Sequence, residues 1–417
     1  MTLLVLLALV TAIVTFGFSI LVYKFALRFK LYPSIRARDV HTRPTPRLGG
    51  VAMFLGIFVA FGIAFAVASH FQLLAVVFAD PTPVFAILGA ALLIVLVGIA
   101  DDLWDLDWMT KLAGQFVAAG LVAWLGVQIY SLPIGGLTVG SPWMSVAMTV
   151  IAIVLVMNAI NFIDGLDGLV AGVALIANGV FFLYSYLLTV KTSPSNYFSL
   201  ASVIAVILVG ACAGFLPLNW HPAKMFMGDT GAMLVGLLMA TSAIAVTGQL
   251  DPASVEGLGK SNLLPAFIPI ILPFAVLVVP LLDFGLAVLR RLQAGKSPFS
   301  ADRKHLHHRL LDMGHTHLHA VLIFYGWTAV ISIGCLLFFA THHIWIPITF
   351  LAVGLVACTA ITLAPLGRRK AQEAVAELTP ASALDAASAA RLDPLDAASE
   401  STTPATSVQT TSTHKEP

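Results

Sequence analysis

The chain has 417 residues, of which 59% are hydrophobic and only 10% charged, with a formal net charge of +1. Soluble domains carry about 25% charged residues to keep their surfaces hydrated, so an ordinary water-soluble enzyme, a fibrous repeat and a disordered chain are excluded for most of the length. The mean hydropathy of +0.94 and the absence of a basic domain point to a protein that crosses a membrane many times, with no nucleic-acid partner. Cys212, Cys335 and Cys358 sit far apart in apolar stretches, without metal-ligand spacing, and read as small hydrophobes.

A bilayer core takes ~20 apolar residues per helix. Segments that meet this rule lie near residues 3–26, 50–69, 84–101, 110–129, 146–163, 168–190, 198–218, 230–248, 264–286, 319–341 and 344–365. The expected fold is an all-α integral membrane protein of about eleven transmembrane helices. The first segment lacks the basic flank and small-residue cleavage site of a signal peptide and reads as a spanning helix. Leu132 to Ser141, with Gly135, Gly136 and Gly140, could form a small hairpin. Residues 1–366 read as one polytopic domain. Residues 367–417, rich in Ala, Ser, Thr and Pro, read as a disordered low-complexity tail, with an Ala-rich stretch near 371–392 that could be helical.

Basic residues set the orientation. With the N-terminus outside, the inner face receives Arg28, Lys30, Arg36, Arg38, Arg43 and Arg47, then Arg290, Arg291, Lys296, Arg303, Lys304 and Arg309, then Arg368, Arg369 and Lys370. The positive-inside rule therefore predicts an N-out, C-in chain. Under that orientation the polar clusters described next all fall at the inner face.

Asp101, Asp102 and Asp105 end the third segment. Spacing of four on a helix would bring Asp101 and Asp105 to one face, and clustered carboxylates at a membrane border call for a cation such as Mg²⁺. The motif alone is weak, because a hydrated acidic loop would look the same. A second group, Asn158, Asn161, Asp164, Gly165, Asp167 and Gly168, is more specific, since two amides and two carboxylates at membrane depth are costly. A third, Asn219 to Asp229 with Phe226 inside it, ends in Gly-Asp-x-Gly at Gly228. A helix opening there would offer free N–H groups to phosphate oxygens, with Asp229 placed to hold a metal. His305, His307 and His308 lie among Arg303, Lys304 and Arg309, which favours an anion-binding or proton-handling patch over a transition-metal cluster. His315, His317 and His319 read as solvated or peripheral.

Taken in order from His41, Arg43, Pro44, Pro46, Arg47, Gly49 and Gly50 through these groups to Leu311, the motifs resemble the polyprenyl-phosphate N-acetylhexosamine-1-phosphate transferases. The resemblance covers about two-thirds of the chain. It implies transfer of a sugar-1-phosphate from a UDP-N-acetylhexosamine to undecaprenyl phosphate with release of UMP, starting cell-envelope glycan synthesis in a bacterial inner membrane. It implies Mg²⁺, with Mn²⁺ as a substitute, held by Asp229 and Asp164. Asp101, Asp102, Asp164, His307 and His308 would be catalytic. His41, Arg47, Asn158, Asn161, Gly165, Asp167, Asn219, Phe226, His305 and Arg303 would bind substrate. A homodimer is left open. Leu306 interrupts what is a run of three histidines in the muramoyl-pentapeptide branch, which points to UDP-N-acetylglucosamine as donor. The competing readings are another UDP-N-acetylhexosamine or the muramoyl-pentapeptide donor, an intramembrane prenyltransferase, which would need no uridine pocket or histidine loop, and a transporter or flippase, which should show mid-membrane polar groups and repeat symmetry.

Overall fold

The computed structural model describes residues 1–31, 45–132, 137–138, 141–191, 196–247, 263–293, 295, 306–341 and 343–378. His41, Arg303, His305 and the tail beyond residue 378 lie outside them, and for His307 only the helical backbone is described. In chain order the helices are α1 (Thr2–Arg28), α2 (Gly49–Ala66), a short α3 (Gln72–Ala79), α4 (Thr82–Trp104), α5 (Trp108–Trp124), α6 (Pro142–Ile163), α7 (Leu169–Lys191), α8 (Asn196–Asn219), α9 (Gly228–Thr247), α10 (Leu263–Gln293), α11 (Leu306–Asp312), α12 (His317–Ala340) and α13 (Trp345–Leu378). Each of the expected segments falls on a helix, and among the described residues nine helices are long and apolar enough to cross a membrane. The other two segments fall on α5, with 17 residues, and on α10. The short α3 and the 3₁₀ turn before it, Ala68–His70, are additions to the expected set.

Local chemistry sets the helix boundaries. Pro83 and Pro142 stand in the first turns of α4 and α6, where the missing N–H costs nothing. Asp107 caps α5 by accepting from the Thr110 N–H at 3.0 Å and the Thr110 hydroxyl at 2.6 Å, and these donors hold its carboxyl below the usual range. Between α5 and α6, β1 (Ser131–Leu132) pairs antiparallel with β2 (Leu137–Thr138), the hairpin that the glycines of this stretch predict. Exposed tryptophans mark both ends of the bundle, Trp104, Trp108 and Trp220 at one and Trp124, Trp143 and Trp345 at the other, as belts at the two headgroup levels do.

The core is built around α9. Within its span 94% of residues are buried in the protein, against 22% for α1 and 11% for the last span. It packs against α2, α4, α6 and α8. Two glycines make the closest of these approaches possible. A methyl group on Gly50 of α2 would collide with the Gly231 backbone, and one on Gly98 of α4 with the Thr230 backbone. Without side chains there, the N-terminal turn of α9 sits directly on its neighbours. All of this lies in one compact unit, Met1–Leu363, and a second unit, Ala364–Pro417, is described only as helix as far as Leu378.

Gly98→Ala should therefore push α4 off α9 and lower the melting temperature of the purified protein, at a cost of about 1–3 kcal/mol for overpacking. Gly62→Ala, where nothing lies within 4 Å of the added carbon, is the control and should be neutral or slightly stabilising.

Candidate active site

Antiparallel crossings bring three turns to one end of the bundle, those between α4 and α5, α6 and α7, and α8 and α9. The acidic residues expected to act together sit on these turns. At their centre is a residue that the sequence motifs do not include. The Lys111 ammonium, in the first turn of α5, lies 2.7 Å from Asp101 Oδ2 and 2.6 Å from Asp229 Oδ2. It thus ties α4, α5 and α9 together. A signal for it exists in the sequence, for Lys111 is the single Lys or Arg between Arg47 and Lys191. The other Asp101 oxygen, Oδ1, is buried and has no hydrogen-bond partner among the described residues.

The expected pairing of Asp101 with Asp105 is not what organises this corner. α4 ends at Trp104, and Asp105 turns into the left-handed region with φ 57°, leaving it exposed while Asp101 is buried. Asp102 has a different task from its neighbour. Its Oδ1 accepts from the Asp229 N–H at 3.2 Å, and its Oδ2 from the Thr230 N–H at 3.3 Å and the Thr230 hydroxyl at 2.7 Å. A carboxylate from α4 therefore occupies the N-terminus of α9, the position expected to offer N–H groups to phosphate. The correction has a simple cause. An anion is favoured there whatever its source, and the close packing allowed by Gly98 delivers one from the protein itself.

Asn161, on the last turn of α6, stands beside Asp229. Just beyond the helix, Asp164 is pushed up to about 8, first by burial, then by the negative charges of Asp229, Asp102 and Asp167, with the Arg47 guanidinium as the opposing positive charge. Arg47 arrives on the segment that precedes α2. There the Phe226 N–H donates to Pro46 O at 2.9 Å, and the Gly49 and Gly50 N–H groups donate to Phe226 O and Met227 O at 3.0 Å. The backbone of the first motif is thus paired with that of the third.

Several of the expected binding residues are placed as braces. The Asn219 carbonyl accepts from the Gly168 N–H at 3.0 Å and its amide donates to Met225 O at 3.0 Å, joining the second motif to the third. Asp167 Oδ2 accepts from the Ala223 N–H at 3.1 Å and lies 2.7 Å from His221 Nδ1. His221 in turn stacks on His317, with ring centroids 5.6 Å apart and planes within 3°. Tyr325 donates to Gly168 O at 2.5 Å. Gly165 is exposed on the turn itself. Asn158 lies a turn deeper and donates to Gln115 Oε1 at 2.6 Å and to Val154 O at 2.8 Å. The buried Asp283 of α10 accepts from the Leu306 N–H at 2.8 Å, capping the helix that carries His307 and a half-buried His308.

Among the described residues the arrangement is a cluster of carboxylates around one ammonium, at one end of the helices. Among the described residues no three His, Cys, Asp or Glu side chains converge as a ready-made metal cage.

Residues 84–247, which carry α4 to α9 and every carboxylate of this cluster, match Glycosyl transferase family 4. The chain is 40% identical over 372 residues, 88% of its length and 89% of the other, to a protein of Mycolicibacterium smegmatis named decaprenyl-phosphate N-acetylglucosaminephosphotransferase. It belongs to the polyprenyl-phosphate N-acetylhexosamine-1-phosphate transferases. This transferase is also 31% identical over 291 residues, 69% of its length and 72% of the other, to a probable undecaprenyl-phosphate N-acetylglucosaminyl 1-phosphate transferase of Bacillus subtilis. With a phospho-N-acetylmuramoyl-pentapeptide-transferase of Halalkalibacterium halodurans it shares 29% identity over 269 residues, 62% of its length and 80% of the other. It is thus a multi-pass membrane protein and a phosphotransferase of the N-acetylglucosamine-1-phosphate transferase type.

Lys111→Met removes the charge shared by Asp101 and Asp229 at nearly constant length. Transfer activity should fall by about 10² or more, the scale on which a preorganised charge contact acts, and Lys111→Arg should recover part of it. The check is turnover of purified variants normalised to correctly folded protein.

Proposed function

We propose that this transferase moves N-acetylglucosamine-1-phosphate from UDP-N-acetylglucosamine to a polyprenyl phosphate, releasing UMP, at the cytoplasmic face of a bacterial cell membrane. The observation that carries the reading is Lys111 between Asp101 and Asp229, beside Asp164, at one end of the helices. Phosphoryl transfer needs charge neutralisation and alignment more than covalent chemistry, and this corner is built for both. The inward-facing basic loops and the position of the acidic turns support the cytoplasmic side. Decaprenyl phosphate is favoured as acceptor over the undecaprenyl phosphate that the motifs imply, because relatives at 40% identity bear that name. The interrupted histidine run and the same names support N-acetylglucosamine over the muramoyl-pentapeptide donor.

In the proposed step an acceptor phosphate oxygen attacks the sugar-bearing phosphorus. The bond between that phosphorus and the bridging oxygen breaks, and UMP leaves with the electron pair. A phosphate monoester has a second pKa of ~6, so the nucleophile is already ionised at neutral pH and needs no strong base. Lys111 would offset charge on the diphosphate. Asp102 has both oxygens committed to the start of α9, so of the two adjacent aspartates Asp101 is assigned to orient a substrate. Arg303, His305, His307 and His308 are assigned to phosphate or sugar on the strength of sequence alone.

The residues fit Mg²⁺. All the donors are hard carboxylate oxygens, Asp101 Oδ1 is without a hydrogen-bond partner among the described residues, and Asp164 stands among the negative charges of Asp229, Asp102 and Asp167, which a cation would offset. Mg²⁺ commonly takes one or two carboxylates and completes its shell with water and substrate phosphates, so no closed cage is needed. Asp229 and Asp164 would hold it. When bound it would supply Lewis-acid neutralisation of the diphosphate.

The test is a panel of UDP-N-acetylglucosamine, UDP-N-acetylgalactosamine and UDP-muramoyl-pentapeptide, each with decaprenyl or undecaprenyl phosphate and Mg²⁺, following lipid product and UMP. N-acetylglucosamine with decaprenyl phosphate should turn over best, and Asp229→Asn should lose nearly all turnover while inserting normally. Turnover of the pentapeptide donor alone, or full Asp229→Asn activity at limiting Mg²⁺, would overturn the reading.

A further inference from the structure

One helical turn below Lys111, α5 carries Gln115, a residue only 3% exposed. One turn below Asp229, α9 carries Met233. The Gln115 amide nitrogen lies 3.2 Å from Met233 Sδ, and its Oε1 accepts from Asn158 of α6 at 2.6 Å. The same step of four residues on both helices makes a ladder of two rungs, an ion pair at the mouth and an amide beneath it.

An amide at this depth needs a reason. Burying one costs free energy that a leucine would not, and a thioether sulfur is a weak acceptor that returns little of it. What a leucine could not supply is direction. The buried residues of α5, Gln115 apart, are Ala118, Ala119, Val122 and Ala123, while Phe116, Val117, Leu121 and Trp124 are turned outward and exposed. The broad packing of α5 is against α4 and α6, across a smooth face of small side chains. Such a face resists separation but sets depth poorly, and a slip of one residue moves a helix by ~1.5 Å along its axis. Functional groups need to be held to within about 0.5 Å.

We propose that Gln115 is a positioning residue for the transfer: by locking α5 to α6 through Asn158 and to α9 at Met233, it fixes the depth at which Lys111 meets Asp101 and Asp229. Asn158, placed among the binding residues by resemblance, is then the partner in this lock. The inference rests on the reading of Lys111 as the ammonium at the reacting diphosphate.

The experiment uses the full chain, purified in lipid nanodiscs, with Gln115→Met, Gln115→Glu, Asn158→Leu and the Gln115→Met/Asn158→Leu double variant. Gln115→Met keeps length and volume while losing the acceptor for Asn158, and Gln115→Glu keeps that acceptor. Two readouts are taken on each. The first is acetylation of Lys111 by a water-soluble amine reagent, followed by mass spectrometry, which needs no turnover. The second is kcat and KM for UDP-N-acetylglucosamine beside the melting temperature.

Lys111 of Gln115→Met should acetylate several-fold faster than wild type. Its kcat should drop on the order of 10²-fold, the cost of a misplacement of about 1 Å, with KM nearly unchanged. Gln115→Glu should recover part of both, and the double variant should be no worse than the worse single one, as expected of residues acting as a unit. Wild-type acetylation and kcat in Gln115→Met, or a loss confined to melting temperature, would overturn the inference. A wild-type protein that turns over no donor would instead count against the proposed function, and the acetylation rates would still decide the role of Gln115.

Discussion

Two carboxylates brought to one point repel each other, the more so as burial lowers the surrounding dielectric. Asp101 and Asp229 share such a point with Lys111 standing between them, within 2.7 Å of each. The three residues come from three helices, so the contact is at once electrostatic and architectural. Remove the ammonium and the chain must either protonate a carboxyl or move a helix. The site and the packing of α4, α5 and α9 are therefore one problem with one solution.

Small side chains make that solution reachable. Gly50 and Gly98 let α2 and α4 touch the first turn of α9, and that contact brings the Asp102 carboxylate onto the helix N-terminus. Asp102 in turn holds Asp229 by its backbone and leaves the Asp229 side chain to Lys111. Adjacent aspartates in the sequence thus divide the work, one fixing a helix and one offering an oxygen. The second motif is braced in the same manner, by Asn219 against Gly168 and by His221 against Asp167.

Much of this is legible in the sequence, for a physical reason. In a chain so apolar every acidic residue is conspicuous, and Asp101, Asp102, Asp164 and Asp229 all stand out by position and spacing alone. The helices are legible because ~20-residue apolar runs have few other fates. What the sequence conceals is the identity of partners. Lys111 stands alone in a long stretch without basic residues, yet a single lysine near a helix end also reads as a flank charge. The amides of Asn158 and Asn219 are visible as costly, but only the fold shows that they face Gln115 and the backbone. Helix spacing misplaces Asp105, because it continues the helix through the residue that ends it.

The identity of the catalytic corner rests on the claim that the donor diphosphate meets Lys111. The most direct measurement is a structure of the purified transferase with UDP-N-acetylglucosamine and Mg²⁺ bound. The account predicts diphosphate oxygens within hydrogen-bonding distance of the Lys111 ammonium and a metal ion on Asp229. A nucleotide bound away from the turns between α4 and α5 and between α8 and α9, with the Lys111 ion pairs undisturbed, would contradict it.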